Sequence, residues 1–344
     1  MANPFEKFLD FRKSGFGLWQ KKVNQVIGLD IGNSSVKVVQ LRKDKGQAIL
    51  ETYGEIALGP YRGLAVGQAA VLPTDKLTEV IRDLFREANI TTTAASFAVP
   101  LGSSLVVTIE LPKVEEALLA KVVPIESRKY IPVPISEVAL DWWVIPKKQL
   151  GSNVADDKLE VLVVAIHNSL INQYQEVSTA LSLETAFFEI ETFSAIRAVL
   201  GNELQPTAIL DFGAATTKMA IVDYGIIRVA HTINKGSQDI TAAVSRSLNV
   251  EFGKAEEIKR QVGLVGHLVS DETGQENLAP TISNIVEYIF LEANKVINGY
   301  QQKSRRAVSR VIIIGGGSLL RGLLDLAQKN FDVPVSMGTP FDKV

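Results

Sequence analysis

Hydrophobic positions along the chain switch between a period of two and a helical period, and the switches lay out the elements. Val26, Ile27 and Leu29 run into Asp30; Gly32, Asn33, Ser34 and Ser35 follow; then Val36, Val38, Val39 and Leu41 resume the apolar run, broken by Lys37 and Gln40. This predicts a hairpin with a polar tip. Ala48, Leu50, Thr52, Gly54, Ile56 and Leu58 alternate as a further strand that pairs with it, ended by Gly59 and Pro60. Helical spacing takes over at Leu77, Val80, Ile81, Leu84 and Phe85, with Thr74 as the expected N-cap and Asp75 in the first turn.

Residues 94–170 predict an inserted α+β subdomain. Ser96–Pro100 and Leu105–Leu111 are strands, and a helix beginning near Val114 carries Leu118, Leu119, Val122 and Val123. Pro124 is expected to kink or split that helix, and Lys-Tyr-Ile-Pro-Val-Pro at 129–134 forces an extended segment. Val138–Ile145 and Leu159–Ile166 are two more strands around a polar loop at 147–158, with Trp142 and Trp143 sent to opposite faces. A helix follows over Ser169–Leu183. From 233 to 299 the pattern is helical: Ile240, Val244 and Leu248 after Gly236 and Ser237, a helix at 254–262, a polar loop at 270–279, and a long helix through Ile282, Ile285, Ile289, Ala293 and Val296 ending near Asn298 and Gly299. Arg305, Arg306 and Arg310 then mark a solvated helix end.

The hairpin at Asp30 is written a second time. Ile209 and Leu210 lead to Asp211, Gly213, Thr216 and Thr217, and Met219, Ala220, Ile221 and Val222 follow. In both copies a lysine, Lys37 or Lys218, stands seven residues after the aspartate, so the chain consists of two related halves. A polar tip of this kind turns backbone N–H groups and hydroxyls towards a phosphate, while an aspartate at the strand end holds magnesium through its waters. Two such tips facing each other would clamp a polyphosphate.

The pair resembles the two phosphate loops of the actin, sugar-kinase and heat-shock ATPase superfamily. A third signature of that superfamily, a strand followed by a glycine cluster, is matched by Val311–Ile314 and Gly315, Gly316 and Gly317, where bare backbone would approach adenosine closely. A fourth is Ala-Glu-Glu-Ile-Lys-Arg at 255–260: Glu256, Lys259 and Arg260 share a helical face suited to ribose and adenine, or else form a solvated charged face. The strand, Leu-Pro helix, Tyr-Ile-Pro-x-Pro segment and Asp141-bearing strand of the insert, the Phe188–Ala195 stretch and the ending Asp332–Phe341 resemble, within this superfamily, the PilM family of actin-like cytoplasmic proteins of type IV pilus assembly.

The resemblance covers roughly residues 25–344. It implies an α/β, actin-like ATPase fold: a first domain at 25–93 and 171–205 carrying the 94–170 insert, a second domain core at 206–232 and 300–344, and a helical nucleotide-facing subdomain at 233–299. It implies ATP or ADP with Mg2+ in the cleft. Asp30 and Asp211 would hold the metal and take catalytic roles beside Glu191, whose alternative role is that of an acid favoured at a helix N-terminus. The nucleotide would be held by Gly32, Asn33, Ser34, Ser35, Lys37, Gly213, Thr216, Thr217, Glu256, Lys259, Arg260 and Gly315–Gly317. Ala215 replaces a glycine common in the second loop and Lys218 an acid carried by several relatives; both changes argue against brisk hydrolysis. The partner implied is the cytoplasmic N-terminal tail of the inner-membrane protein PilN, received in the groove between the first domain and its insert, with other platform and motor proteins nearby.

Composition narrows the alternatives. A net charge of −2 gives no support for nucleic-acid binding, and the lack of cysteine excludes disulfides and thiol chemistry. The three histidines, His167, His231 and His267, lack metal-ligand spacing. No apolar run approaches the roughly 20 residues that span a bilayer; the location implied by the resemblance is cytoplasmic, peripheral to the inner membrane. Residues 1–24 mix Phe5, Phe8, Leu9, Phe11, Phe16, Leu18 and Trp19 with Lys7, Arg12, Lys13, Lys21 and Lys22, an arm suited to an acidic membrane surface, a partner groove or its own domain. A small-molecule kinase of the superfamily would need a substrate-side base that is not identifiable. An FtsA-like cell-division scaffold usually adds a C-terminal membrane helix, whereas this sequence stops at Phe-Asp-Lys-Val.

Overall fold

The computed structural model describes residues 24–146, 158–201, 203–265, 268–270 and 274–340. The predicted arm (Asn24 apart), the loop at 147–157, His267 and the final Phe-Asp-Lys-Val lie outside the described residues.

The first half begins with β1 (Gln25–Ile31), antiparallel to β2 (Ser35–Asp44), which pairs in turn with β3 (Gln47–Ala57). Helix α1 (Thr74–Glu87) crosses back to β4 (Ala94–Val99), parallel to β1. The insert follows as β5 (Ser104–Pro112), α2 (Glu116–Ser127), β6 (Val138–Val144) and β7 (Lys158–His167). Then α3 (Asn168–Ala180), β8 (Glu184–Ile190), parallel to β4, and α4 (Glu191–Val199) complete this half. The second half runs β9 (Thr207–Phe212), β10 (Thr217–Asp223), β11 (Ile226–Ile233), α5 (Ser237–Leu248) and α6 (Phe252–Val262). It continues through β12 (Leu268–Ser270), β13 (Gly274–Glu276), α7 (Ala279–Ser304), β14 (Arg310–Ile314), α8 (Leu323–Asn330) and β15 (Val335–Met337).

Sheet order makes the internal repeat explicit. The first sheet is β3-β2-β1-β4-β8 and the second β11-β10-β9-β14-β15: in each, a three-stranded meander is extended by two parallel strands. Parallel neighbours bring their carboxyl ends to one side, where α/β sheets hold ligands. Asp30 stands beside Ala98 and Asp211 beside Ile314 in this way.

Side chains of the second sheet enter two cores. Ile209, Ala220, Val222 and Ile312 join the core of the first half, which also takes in Leu162, Val164 and Ile166 of the insert. Ala208, Leu210, Phe212, Met219, Ile221, Val311 and Ile313 pack on the other face against α5–α8. Burial of both faces explains why these strands read as continuous apolar runs. The insert has its own sheet, β5-β7-β6, with Trp143 turned to the shared core and Trp142 to the insert's smaller one, as the alternation predicts. Arg228 on β11 bonds Glu160 on β7 at 2.8 Å, joining the insert to the second half. No helix among the described residues is long and apolar enough to cross a membrane.

Several sequence expectations change. Strand 94–99 belongs to the first sheet rather than the insert, because it pairs parallel to β1 and β8, so the insert's own sheet starts at Ser104. Thr74 is the first helical residue and the capping position falls to Pro73, already extended at φ −65° and ψ 160°. Helix α2 is not divided at Pro124, which lies near its end; it continues to Ser127, whose hydroxyl donates to Val123 O at 2.7 Å. Helix α7 runs past Gly299 because Ile297 and Tyr300 are buried, and it stops at Arg305, left-handed at φ 54°. Part of the expected 270–279 loop is β13, paired with β12.

Of the three arginines, Arg305 is exposed as expected, but Arg310 pairs with Glu203 and Arg306 is held firmly. Its guanidinium lies 2.9 Å from Asp223, donates to Tyr224 Oη at 2.9 Å and stacks 4.4 Å from that ring. Asp223 is 4 % exposed and also accepts from Tyr300 Oη at 2.8 Å. Arg306→Ala leaves this carboxylate with one partner fewer, and urea unfolding is expected to show a loss of about 2 kcal/mol; a change near zero would mean that Tyr300 alone satisfies Asp223.

Candidate functional site

Each polar tip is built by its own backbone. At the first, Gly32 N–H donates to Ser35 O at 3.0 Å and Lys37 Nζ donates to Ser35 Oγ at 2.8 Å. Ala70 N–H and Leu58 N–H donate to the carbonyls of Asn33 and Ser34 at 2.9 Å each, so the connection between β3 and α1 braces this tip. At the second, Ser237 N–H donates to Gly213 O at 3.0 Å and Gln238 N–H to Ala214 O at 2.9 Å, seating the tip on the N-terminus of α5. A Cβ at Gly213 would come within 2.7 Å of Thr216 O, and one at Gly236 within 2.3 Å of Ala214 O, so both positions need glycine for close approach.

The carboxylates meet at Lys218. Its Nζ lies 3.2 Å from Glu191 Oε2 and 3.9 Å from Asp211 Oδ2, and Asp30 acts on the same ammonium through space. Glu191 opens α4, and its other oxygen accepts from Leu101 N–H at 2.8 Å, at the entry to the insert. Glu191 is thus a helix N-terminal acid, the alternative role, and its carboxylate is held between Lys218 and Leu101. Burial pushes the Glu191 carboxyl up, Lys218 pulls it back, and Asp211 and Asp30 push it further. Asp211 is raised in the same way, by burial first, with Lys218 opposing and Asp30 adding. For Lys218 burial acts downward, but the attraction of Glu191 and Asp211 prevails and holds the ammonium above its ordinary range.

Not every nucleotide candidate faces the cleft with a free group. Thr217 is fully buried and its hydroxyl donates to Lys235 O at 2.8 Å, because the first position of β10 turns inward. Thr216 remains partly exposed on the tip. Gly315, at φ 85°, and Gly317 are required for packing: added Cβ atoms would meet Asp211 Oδ1 at 2.3 Å and Phe212 Cδ1 at 2.0 Å, whereas Gly316 faces open space.

Glu256 and Lys259 are buried, which overturns the solvated-face alternative for these two. Glu256 takes Lys259 Nζ and Thr241 Oγ1 at 2.6 Å each on one oxygen and Arg260 Nε at 2.8 Å on the other, while Arg260 itself is largely exposed. Burial acts upward on Glu256, yet Lys259, Thr241 and Arg260 together hold it below the usual carboxylate range. For Lys259, burial outweighs Glu256 and the ammonium falls below its usual range.

Sequence reasoning missed the loop at 59–70. It crosses from the first half to α5 and α6: Ala69 N–H donates to Gln238 Oε1 at 3.1 Å, and a Cβ at Gly67, φ 87°, would touch Glu256. Its only sequence signal was a run of Gly and small residues after Pro60. An opening of about 420 Å³ lies where the insert joins the first half, lined by Thr74, Ser103, His167, Ser169, Gln173 and Glu176 among others.

Among the described residues, no group of three or more His, Asp or Glu stands ready to cage a metal ion. The donor set still suits magnesium, which takes one or two carboxylates and completes its shell with phosphate oxygens and water. Asp30 and Asp211 would supply those carboxylates.

A model of the family described as "Type IV pilus assembly protein PilM" matches residues 28–344. The chain belongs to the PilM family. Among solved structures, a PilM-PilN type IV pilus biogenesis complex is similar at a TM-score of 0.77 and 23 % identity, over 94 % of this chain and 90 % of that one. MreB5 of Spiroplasma citri, solved with ADP, is similar at a TM-score of 0.54 and 15 % identity, over 93 % of each chain, which places the PilM-family chain in the actin-like fold. A curated relative, cell division protein FtsA of Neisseria meningitidis, is 26 % identical over 91 % of this chain and 83 % of its own length.

Glu256→Gln leaves Lys259 buried without a counter-charge and is expected to cost about 3 kcal/mol at neutral pH by urea unfolding. Since the folded-state pKa of Glu256 is depressed, its contribution is complete above the unfolded value of about 4.3 and fades as pH falls through the lower folded value. Wild type and variant should therefore converge in acid; a gap independent of pH would exclude the ion pair as its source.

Proposed function

We propose that this PilM-family chain binds ATP or ADP with magnesium between its halves and serves as a cytoplasmic scaffold of type IV pilus assembly that holds the N-terminal tail of PilN. The observation carrying the nucleotide reading is the convergence of two glycine-containing strand tips, with Asp30, Asp211, Glu191 and Lys218 between them. Asp30 and Asp211 would hold the metal, which neutralises phosphate charge when bound. The backbones of residues 32–35 and 213–216 would cradle the phosphates. Gly316 and Arg260 offer an open approach for the adenosine.

Hydrolysis is slow in this reading. The Leu101 N–H on one oxygen of Glu191 and the Lys218 ammonium beside the other both lower its basicity towards an attacking water. Replacing Asp211 with Asn should weaken Mg-ATP binding about tenfold or more in calorimetry, through loss of a charge-assisted contact. Equal heats and affinities for the two proteins would remove Asp211 from the site.

The partner reading rests on the family and on the opening beside the insert. An extended tail laid there would run past Ser103 and the α3 face, and β6 is an edge of the insert's sheet able to accept a strand. The tail would keep the protein peripheral to the inner membrane on its cytoplasmic side. Glu191 links the two sites: it touches Lys218 at the phosphate tip and Leu101 two residues before Ser103. Nucleotide should therefore alter tail affinity. Titrating a PilN-tail peptide with and without ATP tests this, and identical affinities would refute the coupling.

A further inference from the structure

Helix α2 is apolar on two sides. Leu119 and Val123 enter the insert's own core, on the face of its sheet turned away from the core that the two halves share. Leu118 and Ile125 lie outside it, 44 % and 59 % exposed, with half-buried Val122 between them along the helix. Glu115, Leu118, Val122, Ile125 and Lys129 follow one another at alternating steps of three and four residues, the spacing of a seam that packs on a second helix. Charge is divided along this row: Glu115 and Glu116 are exposed at its start, Arg128 and Lys129 at its end. Lys129 pairs with Glu126 of its own chain, whereas Glu115, Glu116 and Arg128 have no ion-pair partner among the described residues. Exposed apolar residues scattered singly are ordinary; a row at seam spacing, acidic at one end and basic at the other, is not a scatter.

The surface that matches this row is the same row run backwards. When Leu118 of one copy lies over Ile125 of another, Glu115 falls opposite Arg128, because both pairs are centred on the same point of the helix, between Lys121 and Val122. A two-fold axis at that point makes every contact twice. Antiparallel helices also set the positive end of one dipole beside the negative end of the other. A parallel copy would instead bring Glu115 to Glu115 and Arg128 to Arg128. The stem of Lys121 can lie along the seam while its ammonium stays in water. We propose that α2 is the interface of a two-fold symmetric dimer of this chain, with Leu118, Val122 and Ile125 at its centre and a Glu115–Arg128 pair at each end. One helix pair is a small contact, so the dimer belongs to the weak, exchanging class. Since α2 contributes no residue to the opening beside Ser103, a dimer carries two such openings.

The test is sedimentation equilibrium of the full chain over about 1–100 µM, where weak interfaces assemble. The mass of wild type should climb from that of one chain towards twice that and no further. Leu118→Glu combined with Ile125→Glu should stay a single chain throughout, with an unchanged thermal melt by circular dichroism because both side chains are exposed. Glu115→Arg alone should weaken the dimer about tenfold, as two attractive pairs become repulsive; its side chain makes no capping bond, so the helix itself is spared. Glu115→Arg combined with Arg128→Glu should restore the wild-type affinity. A wild-type chain that stays single over the whole range overturns the proposal and leaves the row to the helix of another protein. Masses beyond the dimer overturn it too, since they require a head-to-tail contact. So does a dimer that survives loss of both apolar side chains, or a double charge reversal no tighter than the single one. The wild-type series and the charge variants decide even if the Leu118 and Ile125 variant does not fold.

Discussion

Charge in a confined place is the constraint on which this molecule turns. Duplication of a strand-turn-strand unit, with parallel strands extending each sheet, drives two aspartates to the same side, and α4 starts with a third acid beside them. Left alone, the buried carboxylates of Asp211 and Glu191 would repel one another and take up protons. A lysine projecting from β10, opposite Asp211 in the β9–β10 ladder, answers this locally. The surrounding apolar packing makes that answer matter, since the shared core beneath keeps the strand ends fixed and the groups close.

Much of this was legible in the sequence, and the reasons differ by element. Both hairpins are legible because turn chemistry and apolar runs coincide, and their recurrence alone identifies the repeat. The two tryptophans of β6 were placed correctly by alternation alone. Boundaries set by pairing were not readable: strand 94–99 is as apolar as an insert strand would be, and only its partner β1 decides where it belongs. Length of α7 was misjudged because a glycine weakens a helix locally, whereas burial of Ile297 and Tyr300 holds it in the tertiary structure.

Side-chain roles were harder to read than backbone roles. Thr217 carries the right chemistry for a phosphate site, but strand phase turns it inward. Glu256 and Lys259 shared a face as the helical period requires, yet the same period would describe a solvated surface; burial and the hydrogen bonds to Thr241 distinguish the two. Gly315 and Gly317 suggested room for a ligand, and much of that room is taken by Phe212.

The loop at 59–70 gives the two halves unequal attachment. Common hydrophobic packing fuses the halves, and the Glu191–Lys218 ion pair spans them, while the loop itself reaches the second half through the Ala69–Gln238 hydrogen bond. That hydrogen bond is worth roughly 1 kcal/mol, far less than the shared apolar packing. Residues 59–70 therefore act as a light strap over a heavily bonded core, so the attachment weakens from the buried packing outward.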